Sequence, residues 1–138
     1  MQYGGEDNLE IMRLAENNNR HLISLLNQKL GRRRNNITDF GSGNGMFASL
    51  LAERGFQIDC LEPAENMRRF YQRKPYASLE EISSVSFIYS LNVLEHIKDD
   101  EAILQNMASA LPAGGGLFLY VPAFPLLYSS MDKKVGHF

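Results

Sequence analysis

Cysteine is almost missing from this chain. Cys60 is alone among 138 residues, which excludes an internal disulfide and fits a reducing, cytoplasmic setting. Placed inside an apolar, strand-like run, it reads as a small core residue rather than a nucleophile. No grouping of Cys and His has the spacing of a metal site. No apolar run approaches the roughly 20 residues of a membrane span, and the N-terminus lacks a signal-peptide pattern. Neither sign of charge dominates, since 14 Lys and Arg stand against 16 Asp and Glu. The broad basic surface that nucleic-acid binding needs is therefore missing. Two short basic clusters, Arg32-Arg33-Arg34 and Arg68, Arg69, Arg73 with Lys74, are expected to be solvated helix ends. Internal repeats and low-complexity linkers are also lacking. With 44% hydrophobic residues the chain can build one modest core, so residues 1–138 are expected to form a single domain.

What is present centres on Ile37-Thr38-Asp39-Phe40-Gly41-Ser42-Gly43-Asn44-Gly45. An apolar strand ends at an acid, glycines alternate with small or polar residues, and an apolar helix pattern follows. Glycine has no Cβ and tolerates positive φ, so such a loop can turn sharply and let a ligand touch the main chain. A strand feeding this turn and then a helix opens a nucleotide-type site at the carboxyl edge of a parallel sheet. The spacing is not that of a dinucleotide fingerprint, G-x-G-x-x-G. The third glycine, Gly45, comes one residue early, and Met46 stands where that motif has glycine. A phosphate loop is excluded because no Gly-Lys-Ser/Thr follows. The plainer alternative is a tight strand-to-helix turn with no ligand.

Residues 56–61, Phe-Gln-Ile-Asp-Cys-Leu, alternate apolar and polar as a short strand does. They end in Glu62, with Pro63 at a plausible first helical position. Glu62 lies about twenty residues beyond the glycine loop, the offset at which nucleotide sites place an acid against ribose hydroxyls. The competing role is support of the next helix N-terminus through its dipole.

A third element, residues 85–90, reads as a buried strand running into Leu91-Asn92-Val93-Leu94-Glu95-His96-Ile97, a loop with a short helical turn. Asp99 and Asp100 open a helix to about Ala110, and Leu111-Pro112-Ala113-Gly114-Gly115-Gly116 breaks it. Residues 117–121 follow as a strand stopped by Pro122. Toward the N-terminus, apolar positions from Leu9 to Leu30 predict one or two amphipathic helices ending at Gly31. Asn17-Asn18-Asn19 is a candidate interruption.

The acid-x-Gly-x-Gly-x-Gly pattern at residues 39–45, "NVLEHI" and "LPAGGGLFLYVP", in that order, resemble class I S-adenosylmethionine-dependent methyltransferases over roughly residues 37–138. The resemblance implies an α/β fold, a Rossmann-like three-layer sandwich with a mostly parallel sheet. Within it the resemblance predicts an N-terminal helical segment over residues 1–31, the α/β core over 36–121 and a tail over 122–138. It implies S-adenosylmethionine as cofactor, held by Asp39, Gly41, Ser42, Gly43 and Gly45 around its methionyl and ribose region. Glu62 takes the ribose hydroxyls, Pro63 and Ala64 flank the adenine, and Ser90, Leu91 and Asn92 line the methionine side. The tail resembles relatives with small-molecule acceptors, so the expected partner is a small-molecule methyl acceptor. The N-terminal segment would then be a lid over the pocket or a helix packed on the sheet. No base is assigned: His96, His137 and Tyr128 are candidates without a role.

The chain departs from the family in length. A complete member has a seven-stranded sheet and usually more than about two hundred residues. Here Tyr76-Ala77-Ser78-Leu79 is the only candidate for the third strand, with Ser78 and Ser86 at positions often acidic in relatives. The sequence stops just after the fifth family strand, so the fold is expected to be truncated, with an open sheet edge. The tail could fold over that edge, or a second copy could, giving a homodimer. Two other classes remain: a non-catalytic or truncated donor-binding module, and an NAD-dependent oxidoreductase, whose catalytic constellation is not evident.

Overall fold

The computed structural model describes residues 15–71 and 74–121. Four strands, Ile37–Phe40 (β1), Ile58–Leu61 (β2), Phe87–Leu91 (β3) and Gly116–Tyr120 (β4), form one parallel sheet in the order β2-β1-β3-β4. The helices are Glu16–Leu30 (α1), Met46–Ala52 (α2) and Asp100–Ala110 (α3). Parallel strands need helical crossovers, which cover both faces, and β1 is accordingly buried along its whole length. On one face Ile23, Leu26 and Leu30 of α1 and Leu51 of α2 meet Ile37, Phe87 and Tyr89, with Phe56. On the other, Met107 of α3 joins Phe40, Leu61 and Ile88. The alternation of Ile37 and Phe40, or of Phe87 and Ile88, between the two clusters is the two-residue period of a strand. The result is the expected three-layer α/β sandwich.

α1 buries Leu22, Ile23, Leu26 and Leu30, a stripe at helical spacing, and ends at Gly31. The asparagine run does not interrupt it. These residues lie in its first turn, where several N–H groups have no partner within the helix in any case, and Asn19 is itself buried. Its Nδ2 approaches the Met46 sulfur at 4.0 Å. Over Glu16–Leu30 the segment is thus a helix packed on the sheet, its first turn touching the start of α2. Residues 9–14 lie outside the described chain. α3 begins as its sequence implies: Asp99 Oδ1 accepts from the Ala102 N–H at 3.2 Å, an N-cap bond.

Pro63 does not start a helix. The Glu62 carboxylate takes the Ala64 N–H at 2.8 Å, a local bond that competes with helix formation. Arg68 donates to the Glu62 carbonyl at 2.7 Å and the Pro63 carbonyl at 3.1 Å. Only a 3₁₀ turn, Met67–Phe70, follows. The third family strand is reduced to one bridge, Leu61 with Tyr76, made by Tyr76 N–H to the Cys60 carbonyl and Glu62 N–H to the Tyr76 carbonyl, both 2.9 Å. Ser78 precedes a 3₁₀ turn, Leu79–Glu81.

Arg32 and Arg34 are exposed just past the end of α1, as expected, while Arg33 is half-buried. The Arg33 guanidinium lies 5.5 Å from the Phe87 ring and donates to the Gly114 carbonyl, while Arg34 sits 4.6 Å from the Phe56 ring. Among the described residues β4 is the outer strand on its side, and Leu117 (39%) on it and Val121 (44%) just past its end are exposed. The tail, with Tyr128 and His137, lies outside the described residues.

Candidate functional site

The chain runs from β1 outward to β2 and then returns to the far side of β1 for β3. Strand order therefore reverses between β1 and β3, and the crevice at their carboxyl ends is where open α/β sheets place ligands. The glycine loop leaves β1 here. Gly41 and Ser42 both donate their N–H to the Leu61 carbonyl at the end of β2, at 2.8 and 3.1 Å. Gly41 and Gly45 both have φ of +74°, a region that side chains disfavour. Space is also short: a Cβ on Gly41 would stand 2.6 Å from both Val93 γ-methyls, and one on Gly45 would stand 2.9 Å from Tyr71 Cε1. These glycines thus let protein side chains close on the loop from both sides. The N–H of Met46, which opens α2, is taken by Asn44 Oδ1 at 3.2 Å.

Glu62 ties this loop to the end of β2. One carboxylate oxygen accepts from Gly43 N–H and the other from Ala64 N–H, each at 2.8 Å. The side chain is buried, and that burial raises its pKa, against the two N–H bonds and Arg68, which lower it. Asp39, only 4% exposed, is pushed up to about 7, chiefly by burial and further by the Glu62 charge. The Tyr89 hydroxyl, in register on the next strand, opposes that rise although it falls short of hydrogen-bond geometry. Burial and the Asp39 charge push the Cys60 thiol up to about 12, so it stays protonated and unreactive.

A recess of about 40 Å³ opens at the loop, lined by Asp39, Gly41, Ser42, Gly43 and Leu91 together with Asn44, Met46 and Phe47. Asn44 was expected only as main chain of the loop, and Met46 and Phe47 were not anticipated. Met46 and Phe47 carry only an apolar helix pattern in the sequence. The remaining anticipated residues lie around the recess rather than on its wall. Gly45 faces Tyr71, Glu62 braces the loop from the β2 side, and Pro63 follows it. The Ser90 hydroxyl is buried and donates to the Phe40 carbonyl at 3.0 Å. Asn92 has φ of +53° and donates its N–H to the Tyr120 carbonyl. His96 ends a 3₁₀ turn, Leu94–His96, beyond β3. Tyr71 was also missed: its hydroxyl donates to Ser42 Oγ at 2.6 Å. Among the described residues no group of Asp, Glu, His and Cys could hold a metal ion, and no helix is long and apolar enough to cross a membrane.

Comparison with known proteins agrees with this architecture. The profile of a methyltransferase domain matches residues 12–136. The ubiquinone biosynthesis O-methyltransferase of Idiomarina loihiensis is 30% identical over 97 residues, covering 59% of this chain and 40% of that protein. The biotin biosynthesis bifunctional protein BioHC of Cellvibrio japonicus is 32% identical over 109 residues, covering 71% of this chain and 21% of that protein. The chain thus spans less than half the length of these curated relatives. Among solved structures, CalS10 of Micromonospora echinaspora, an amino pentose methyltransferase with S-adenosylmethionine bound, superposes with a TM-score of 0.63 at 17% identity. That match covers 82% of this chain and 53% of the other, and at such identity it speaks to the fold.

Proposed function

The chain belongs to the methyltransferase-domain family, and from that premise we propose that it binds S-adenosylmethionine at the carboxyl edge of its sheet and passes the methyl group to a small-molecule acceptor. The observation that carries this is the Glu62 bridge. Each carboxylate oxygen takes one backbone N–H, leaving each a further lone pair beside the glycine loop for the paired hydroxyls of a ribose. Asp39, a buried acid on the recess wall, suits the ammonium of the donor's amino-acid end, since an opposite charge would relieve its desolvation. Gly41, Ser42 and Gly43 offer main chain beside it, and Leu91 a wall. Gly45 keeps the loop turned, Pro63 borders the adenine, and Ser90 and Asn92 fix the end of β3.

The recess has room for about one water, so the adenosyl bulk would lie over the sheet edge. The donor supplies a methyl group on a sulfonium that is its own leaving group. The residues here therefore act by holding, aligning and excluding water rather than by activating the donor. The relatives named above for ubiquinone and biotin biosynthesis support a small-molecule acceptor. Arg33 and Arg68, engaged with main-chain carbonyls, and the near balance of charge leave little for nucleic acid. Leu117 on β4 and Val121 just past its end favour a homodimer, which a strict monomer by light scattering at high concentration would remove. A single free cysteine suits the reducing cytoplasm.

Calorimetry with S-adenosylhomocysteine tests the donor site, with NAD as the control that should give no heat. Glu62→Ala should weaken binding roughly ten- to a hundredfold, and an unchanged affinity would remove the ribose role. The alternative reading is a donor-binding module without catalysis. Donor binding with no turnover on any acceptor would select it.

A further inference from the structure

We infer that Tyr71 is a positioning residue of the donor site, holding the glycine loop in register with the segment that carries Glu62. The inference rests on the donor reading above. Its geometry is a clasp with two arms. Glu62 reaches the loop at Gly43 from the start of residues 62–71, and Tyr71 reaches it at the adjacent Ser42 from their end. The segment between them is braced internally, since Arg68 donates to the carbonyls of Glu62 and Pro63.

The direction of the Tyr71 bond follows from its partner. Ser42 Oγ donates its own proton to the Leu61 carbonyl at 3.3 Å, so its oxygen is left to accept, and the phenol must donate. At 2.6 Å the contact is short for two hydroxyls. Burial raises the phenol's pKa, so it keeps its proton through the neutral range. A relay thus runs from Tyr71 through Ser42 to the end of β2. The ring does separate work, filling the space a Gly45 side chain would need. Phenylalanine could fill that space, but only tyrosine can fasten Ser42. A loop fastened before the donor arrives has less freedom to lose on binding.

Tyr71→Phe keeps the ring and removes the fastening. In calorimetry with S-adenosylhomocysteine, Tyr71→Phe should raise Kd about fivefold, the loss of one ordinary hydrogen bond, while Tyr71→Ala should raise it further. In a cycle with Ser42→Ala, Tyr71→Phe should add little on the Ser42→Ala background, where the bond it removes is already gone. Amide exchange at Gly43 and Gly45 in the ligand-free Tyr71→Phe chain should quicken by a similar factor. An unchanged Kd in Tyr71→Phe, or losses that add in the cycle, overturns the inference. If the wild-type chain gives no heat with S-adenosylhomocysteine, the donor reading fails and takes the binding role with it. Exchange then still judges the clasp, which unchanged protection at Gly43 and Gly45 would refute.

Discussion

Replacing Asp39 with asparagine should flatten the pH dependence of this chain's stability. The carboxyl is enclosed at the end of β1 and titrates near 7 in the folded chain, against 3.8 when free. Between those values the folded chain keeps a proton that the unfolded chain has released. The contribution of this group to stability is therefore greatest below about pH 4, falls as the pH rises toward about 7, and changes no further above that. A displacement of about three units, at about 1.36 kcal/mol each, corresponds to a loss on the order of 4 kcal/mol. Burial also raises the Glu62 pKa and adds a slope of the same sign, so the informative quantity is the difference between wild type and Asp39→Asn. Urea denaturation at half-unit steps from about pH 4.5 to about pH 8 measures it. The wild-type midpoint should fall across this window and that of Asp39→Asn should fall much less. Parallel curves would refute the argument that a desolvated acid lies at the loop. A cationic ligand seated against Asp39 should restore part of the lost stability near neutral pH, and a neutral analogue should not.

Gly41→Ala places a Cβ at a φ of +74° and 2.6 Å from the Val93 methyls. The backbone alone should cost about 1–2 kcal/mol, and shifting the stiff Val93 adds to it. A thermal melt that matches wild type would show that the loop relaxes freely. Asp99→Ala removes the cap on α3 and should cost about 1 kcal/mol in urea denaturation, whereas Asp99→Asn should be nearly neutral; equal losses would point to charge rather than capping.

Local patterns were legible in the sequence wherever local rules decide. Alternating glycines after an acid gave a turn with positive φ, and Asp99 before an apolar helix gave its cap. The apolar runs gave the strands, within a residue or two of their ends. What escaped was set by contacts between distant residues. Tyr71 meets Ser42 across 29 positions, and nothing near either residue announces it. Arg33 reads as solvated because a sequence cannot show that the Phe87 ring lies 5.5 Å from it. Pro63 matched a helix start, but the Glu62 side chain claimed the Ala64 N–H first. The asparagines misled differently: intrinsic reluctance inside helices matters little in a first turn held by packing further along.

The all-parallel sheet bears on how this chain reaches its shape. Among the described residues no pair of neighbouring strands can zip from a short turn. The centre of the sheet waits for partners such as Phe40 and Ser90, 50 residues apart, and pairings so remote along the chain make assembly slow. During synthesis β1 would emerge well before its inner neighbour exists, leaving an apolar ribbon exposed on the ribosome. Helpers that shield nascent chains should therefore raise the yield of this protein more than that of a helical protein of equal size.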